Sequence, residues 1–285
     1  MGRYSRLEFI RSLDPERDCE RVNNLVTRYE FPLDYRMGFE LAILTDFTMP
    51  SISGLFLSTG QVRHHGQKRF DDAMLFEYEM KRAGLDSPHG RASVRALNKI
   101  HGHYDISNDD YLFVLASHTL NAIHWIMAHG WRRLTGIEVA AMVNTNRRMG
   151  TLMGIKDIPA DYAGFTDLLE TQLRKRARFD EANREAAWCI IRVVQSWYPR
   201  ALRATIPHVV AATVDARTRT LLGLEEPPPW IARTFHEGLR ARGALIRYLP
   251  PRPTTRPATP RPATYPGGWT LDQLGPRHRP GRGRR

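Results

Sequence analysis

The run GRASVRALNKIHGHYDISNDDYLFVLASHTLNAIHWIMA, residues 90–128, reads as two helices joined by a capped turn. In its first half Val94, Leu97, His101 and Tyr104 recur at spacings of three, four and three, which puts them on one helix face and makes His101 part of a buried stripe. His103 falls roughly 200° around the same helix and faces the wetter side. The turn DISNDD pairs Ser107 with Asp110 three residues on, the spacing of a capping box that starts the next helix and fixes the exit of the one carrying His101. The second half, residues 111–128, is apolar enough to raise the question of a membrane span. His118, Asn121 and His124 in its interior and its marginal length argue instead for a buried core helix, in which these polar side chains either hydrogen-bond within the bundle or touch a cofactor.

Working outward, nearly every long segment keeps the helical period and strand-type alternation is scarce, so the fold class is all-α. Upstream, YRMGFELAILTDFTMPSISGLFLSTG gives two short helices broken at Met49-Pro50, where proline fixes φ and removes a backbone donor. KRFDDAMLFEYEMKRAG follows as an amphipathic helix with Gly84 as its stop. Arg69, Ala73, Phe76 and Met80 share one face of it, so Arg69 either begins a core-facing stripe or, in the first turn, reaches solvent. Downstream, helices continue to residue 249 with no fixed repeat, and a single helical domain is expected over residues 1–249.

The chain has 285 residues, 42% hydrophobic and 25% charged, which is globular composition and excludes a wholly disordered or collagen-like protein. Its net charge is +12, but residues 250–285 hold eight arginines against one acid and are rich in proline, so the basicity is mostly a tail expected to be disordered. Such a tail acts as a solvated spacer or touches nucleic acid or an acidic partner, the second being the weaker expectation. Cys19 and Cys189 are too few for a disulfide scaffold or a four-thiolate metal site, and the N-terminus lacks a signal-like apolar run, so a cytoplasmic location is expected.

No Walker A run, GxGxxG, HExxH, GxSxG or CxxC is present, and no Glu is followed by His three residues on. Phosphate-cradling, hydride-transfer, serine-hydrolase and di-iron readings therefore lose their footing. What remains is an inward histidine and, one helix earlier, an arginine beside acids. A neutral imidazole in an apolar cavity can be the axial ligand of a haem iron, or simply a hydrogen-bonded core residue.

Three blocks bear on that choice: SISGLFLSTGQVRHHGQKRFDDAMLF, RALNKIHGHYDISNDDYLFVLASHTL and NRRMGTLMGIKDIPADYAGFTDLLE. In residue type and order, over residues 41–170, they closely resemble the rubber oxygenase and mycophenolate-pathway oxygenase family. The resemblance implies a b-type haem in a globin-like helical core with additional helices, and dioxygen-dependent oxidation of a hydrophobic small-molecule or polymer substrate. It puts the axial ligand on His101 and the distal arginine on Arg69. The rubber oxygenases carry a lysine and a threonine after that arginine, where this chain has Asp72 and Ala73. Asp72 is then either an acid or base near the iron or a solvent-facing carboxylate, and Arg95 either contacts a haem propionate or sits on the surface. The rival expectation is a non-enzymatic haem-binding or helical binding protein with a basic tail.

Overall fold

The computed structural model describes residues 2–276. Among them there is no strand, and thirteen α-helices follow one another: α1 (Ser5–Arg11), α2 (Cys19–Leu25), α3 (Pro32–Asp46), α4 (Pro50–Ser58), α5 (Gln61–Arg82), α6 (Pro88–His101), α7 (Asn108–His129), α8 (Gly136–Leu152), α9 (Tyr162–Arg176), α10 (Glu181–Ser196), α11 (Ile206–Thr213), α12 (Ala216–Leu221) and α13 (Pro229–Ile246). The all-α class is thus as the periodicity implies.

The apolar run of residues 111–128 forms most of α7, the central helix, with Phe113, Ala116, Leu120 and Ile126 fully buried. It lies against α3, and Gly38 sets how closely. A Cβ there would stand 2.5 Å from Ala122 Cα and 2.9 Å from the Asn121 carbonyl oxygen, so only glycine lets the two backbones meet. α2, α8 and α9 close one side of α7, while α5 and α6 pair with each other and α4 and α10 pack on α5. No single described helix is long and apolar enough to cross a membrane; α3 and α4 pass that test only jointly and are bent by 96°.

Local signals set most boundaries. Met49 is extended and Pro50 opens α4, as a pre-proline residue and an N-terminal proline should. Gly84 ends α5 with φ +87°, a left-handed stop. α5 begins earlier than the sequence pattern shows, at Gly60 with φ +67°, and kinks at His65, so Arg69 lies inside the helix rather than in its first turn. Ser107 accepts a hydrogen bond from the Asp110 N–H (3.1 Å), but the reciprocal half of a capping box does not form. Instead the Asp110 carboxylate accepts from Ser51 Oγ (2.9 Å) and pairs with Arg176.

Residues 250–276 depart from the disorder expected of the tail. They run back over the domain as an irregular strap whose backbone is tied down at intervals: Arg6 Nη2 donates to Arg252 O (2.7 Å), Ala258 N to Arg28 O (2.9 Å) and Thr264 N to Asp71 Oδ2 (2.8 Å). Tyr265, Trp269, Leu271 and Leu274 then form a small apolar cluster with Leu75, Phe76 and Ile100. Proline-rich composition hid this, because a few apolar side chains near the end of the strap and the acids of α5 anchor a segment with little helical or strand character of its own. The rest of the tail, residues 277–285, lies outside the described residues.

Lys68 locks the strap. The three N–H groups of its ammonium are shared among Asp72 (2.6 Å), Tyr265 Oη (2.7 Å), Gly275 O (2.8 Å) and, at the longest distance, Gln273 O (3.1 Å). Hydrogen bonds to a charged group contribute about 1.5–3 kcal/mol, so Lys68→Met is expected to raise local opening of the strap roughly tenfold or more. Limited chymotrypsin digestion checks this: faster cleavage after Trp269 or Leu271 is the expected result, and an unchanged rate contradicts the lock.

Candidate functional site

A cavity of about 320 Å³ lies between α3, α4, α5, α6 and α7. Its walls are mostly apolar, with Ile43, Phe47, Phe56, Phe76, Val114, Leu115 and Met149 among them. Such a chamber, with few polar groups, has the character of a small-molecule site. A larger depression of about 760 Å³ along α10 and α11 is lined by charged side chains such as Glu181, Arg184, Glu185 and Arg192. Glu185 pairs with Arg63 (2.6 Å) and Arg184 with Glu181 (2.6 Å), and none of the sequence-derived candidates lies there, so the apolar cavity carries the argument.

His101 is the last residue of α6 and lines this cavity, as its stripe implies. Tyr104 also lines it, although the helix stops at His101 and Tyr104 sits in the turn beyond. The His101 ring lies 5.7 Å from the Tyr111 ring, and its Nδ1 is buried with no hydrogen-bond partner. Burial, and secondly the positive charge of Arg69, lower the imidazole pKa to about 4. The ring is therefore neutral at physiological pH, the form that ligates a metal.

Arg69 faces the same cavity, its guanidinium carbon 5.2 Å from the Phe56 ring centre. No carboxylate forms an ion pair with it among the described residues. Burial lowers its pKa, with Asp72 and Tyr104 opposing that shift. Of the two alternatives for Arg69, core-facing is the one observed.

Asp72 also lines the cavity but is not an unengaged carboxylate. Besides Lys68 it accepts from Tyr265 Oη (2.7 Å) and Gly275 N (3.1 Å), which makes it the anchor of the strap. Of the two alternatives, the solvent-facing one is not observed: Asp72 is buried, and both of its oxygens already accept hydrogen bonds. The strap in turn brings Gly275 and Pro276 to the cavity wall. Arg95 is exposed on α6 and absent from the lining, because six residues before His101 is a different helix face, in keeping with the surface alternative.

Sequence reasoning missed three contributors. Lys68 was passed over although it precedes Arg69 directly. Glu77, held by Lys81 and Tyr35, lines the cavity two turns beyond Arg69. The third is Asp46, which pairs with His118 (2.9 Å); both line the cavity, and for His118 the hydrogen bond within the bundle is the one formed. The spacing of His118 from Tyr111, seven residues and so the same face, is the signal for its place in the lining. Asn121 bonds back to Ser117 O (3.0 Å) and His124 to Tyr162 (2.8 Å), in keeping with structural roles.

The low pKa of His101 has a consequence for stability in haem-free protein. Between pH about 4 and 6.5 the unfolded chain carries a proton on this ring that the folded chain does not, so stability rises with pH across that window and is fully present above 6.5. His101→Gln is expected to lose less stability than wild type on acidification from pH 7 to 4, by on the order of 2–3 kcal/mol. Urea unfolding at each pH measures it, and parallel pH profiles for the two proteins would contradict the burial.

Among the described residues no three His, Cys, Asp or Glu side chains converge on a metal-sized site. Of the polar groups lining the chamber, His101 is the neutral imidazole with a buried, unpartnered Nδ1 and Arg69 the cation without an ion pair among the described residues, whereas Lys68, Asp72, Glu77, Asp46 and His118 are paired with one another or with neighbours. Such an imidazole could hold a metal-bearing prosthetic group.

Residues 64–248 match the family model described as ER-bound oxygenase mpaB/B'/Rubber oxygenase, catalytic domain. The chain belongs to this family. It is 27% identical over 251 residues to the ER-bound oxygenase mpaB' of Penicillium brevicompactum, covering 81% of this chain and 59% of the relative. ER-bound oxygenase mpaB of the same organism is 25% identical over 253 residues, covering 81% and 58%. The mpaB of Penicillium roqueforti is 25% identical over 160 residues, 53% of this chain and 54% of that protein. The chain thus spans a little under three fifths of the length of these relatives.

Proposed function

We propose that the protein is a haem-dependent oxygenase that oxidises a hydrophobic, unsaturated substrate with dioxygen inside the α3–α7 cavity. The observation that supports this most is the neutral His101, its buried Nδ1 without a hydrogen-bond partner, lining the same apolar cavity as Arg69. His101 would hold the iron, and the globin-like character of the helical core belongs to the same proposal. When bound, haem supplies the activation of dioxygen. Arg69 offers guanidinium N–H donors to an oxygen-bearing reactant or to a propionate carboxylate. The phenylalanine and aliphatic walls exclude water and hold a hydrocarbon, while the strap at Lys68 covers the approach beside Arg69. Oxidative splitting of one carbon–carbon double bond by one dioxygen gives two carbonyls and balances without an external reductant, so cleavage is preferred over hydroxylation. The relatives' names carry "ER-bound"; for this chain we propose the cytoplasm, on the reduced state of its two free cysteines, Cys19 and Cys189, and subcellular fractionation checks it.

An oxygen electrode tests the activity on haem-loaded protein. Dioxygen uptake with farnesene, with carbonyl products and none with its saturated analogue, is expected. Haem binding without uptake on farnesene or other alkenes would overturn turnover and leave a haem-binding protein, a reading that the engagement of Asp72 in the strap also favours.

A further inference from the structure

The cavity has two polar ends. Tyr111, Val114, Leu115 and His118 all line it from one face of α7, so His118 lies about 10 Å along the helix from Tyr111, the neighbour of His101. α5 repeats the arrangement, running from Arg69 near His101 to Glu77 near His118. Phe76, Val114 and Leu115 separate the ends.

At the far end His118 Nε2 and Asp46 Oδ2 stand 2.9 Å apart. Asp46 is only 6% exposed, and its other oxygen, Oδ1, is buried and makes no hydrogen bond of good geometry: the nearby Ser117 hydroxyl donates to Ala42 O (3.2 Å) instead. Glu77 cannot serve it, being itself an acceptor already engaged by Lys81 and Tyr35. The His118 ring is further fixed edge-on by Phe39, 5.0 Å between centroids. A buried acceptor left unmet in an apolar chamber is costly, and an incoming O–H group removes that cost. Burial opposes charge on His118, yet Asp46 and Glu77 outweigh it and raise its pKa, so the ring can also donate to an oxygen. A hydroxyl both donates and accepts, and so matches what the pair lacks.

We propose that the Asp46–His118 pair is a subsite for a hydroxyl at one end of an otherwise apolar substrate, whose chain runs through the cavity toward His101. The assignment rests on reading this cavity as the oxygenase site. Asp46 and His118 are positioning residues: they set which carbon of the chain arrives beside His101 and Arg69.

Calorimetric titration of the full chain with n-octanol and n-octyl fluoride, before and after haem loading, tests the proposal. The alcohol is expected to bind about tenfold or more tightly than the fluoride, which has similar shape and no donor. Asp46→Ala and His118→Phe should bring the two ligands within about twofold of each other, while Asp46→Asn, which keeps the side-chain shape and a carbonyl acceptor, should retain part of the preference. Thermal melts establish that each variant is folded, and the wild-type comparison decides the matter even if one is not. Equal binding of the two ligands, binding of neither, or a preference untouched by both deletions would overturn the subsite. If the preference is present in protein that takes up no haem, the subsite stands and the oxygenase reading falls.

Discussion

Glu30→Ala should destabilise the protein by about 3–5 kcal/mol, the cost of removing one partner from a buried ionic network. Glu30 Oε1 receives Arg6 Nη1 at 2.6 Å and Oε2 lies 3.4 Å from Arg132 Nη2, with the glutamate side chain fully buried. Arg132 also pairs with Glu138 (2.7 Å), whose carboxylate closes a true capping box with Thr135 at the start of α8. Without Glu30, Arg6 would lose its carboxylate partner and Arg132 would keep only Glu138, and Arg3, stacked 3.8 Å over Trp131, would add a third like charge. At about 2–4 °C per kcal/mol for a chain of this size, the melting temperature should fall by roughly 10 °C. Chemical denaturation measures the change directly, and a loss below about 1 kcal/mol would show that the arginines find solvent instead. Because this network lies far from the cavity lining, folded variant protein should keep its haem affinity.

The second large effect concerns chemistry. Arg69→Met is expected to reduce turnover of haem-loaded protein by about a hundredfold, in the range seen when one preorganised donor is removed from developing negative charge. Methionine keeps much of the volume against Phe56, so the cavity should hold its shape. Asp72→Asn is the informative companion. Its effect should be on strap cleavage by chymotrypsin, with turnover changed far less than by Arg69→Met, because Asp72 bonds to the strap rather than pointing a free carboxylate at the reactants. Steady-state rates at saturating substrate distinguish the cases. Turnover unaffected by Arg69→Met would remove Arg69 from the reaction.

What the sequence made legible is what helical periodicity encodes within one segment. The stripe of Val94, Leu97 and His101 predicts an inward imidazole, and His101 does line the cavity. The capped turn at Ser107 and the breaks at Pro50 and Gly84 are local signals and also hold. Arg69 was ambiguous because the pattern hid the first turns of α5, whose residues are polar and whose kink at His65 breaks the period. Features that join distant segments were not legible. Asp46 meets His118 from 72 residues away, and the strap meets α5 from nearly 200, through single polar contacts that leave no period in either segment. Arg95 shows the limit of closeness in sequence: it lies six residues from His101, yet the helix turns it to solvent, the surface alternative of the two.

The central claim is that His101 ligates haem, and it is tested most directly by titrating haem into purified full-length wild type and His101→Ala while recording absorption in the ferric and dithionite-reduced states. The account predicts one haem per chain with a sharp Soret band in wild type, and a band lost or shifted in the folded variant. Folded wild-type protein that takes up no haem, or a variant whose spectrum and stoichiometry match wild type, would contradict it.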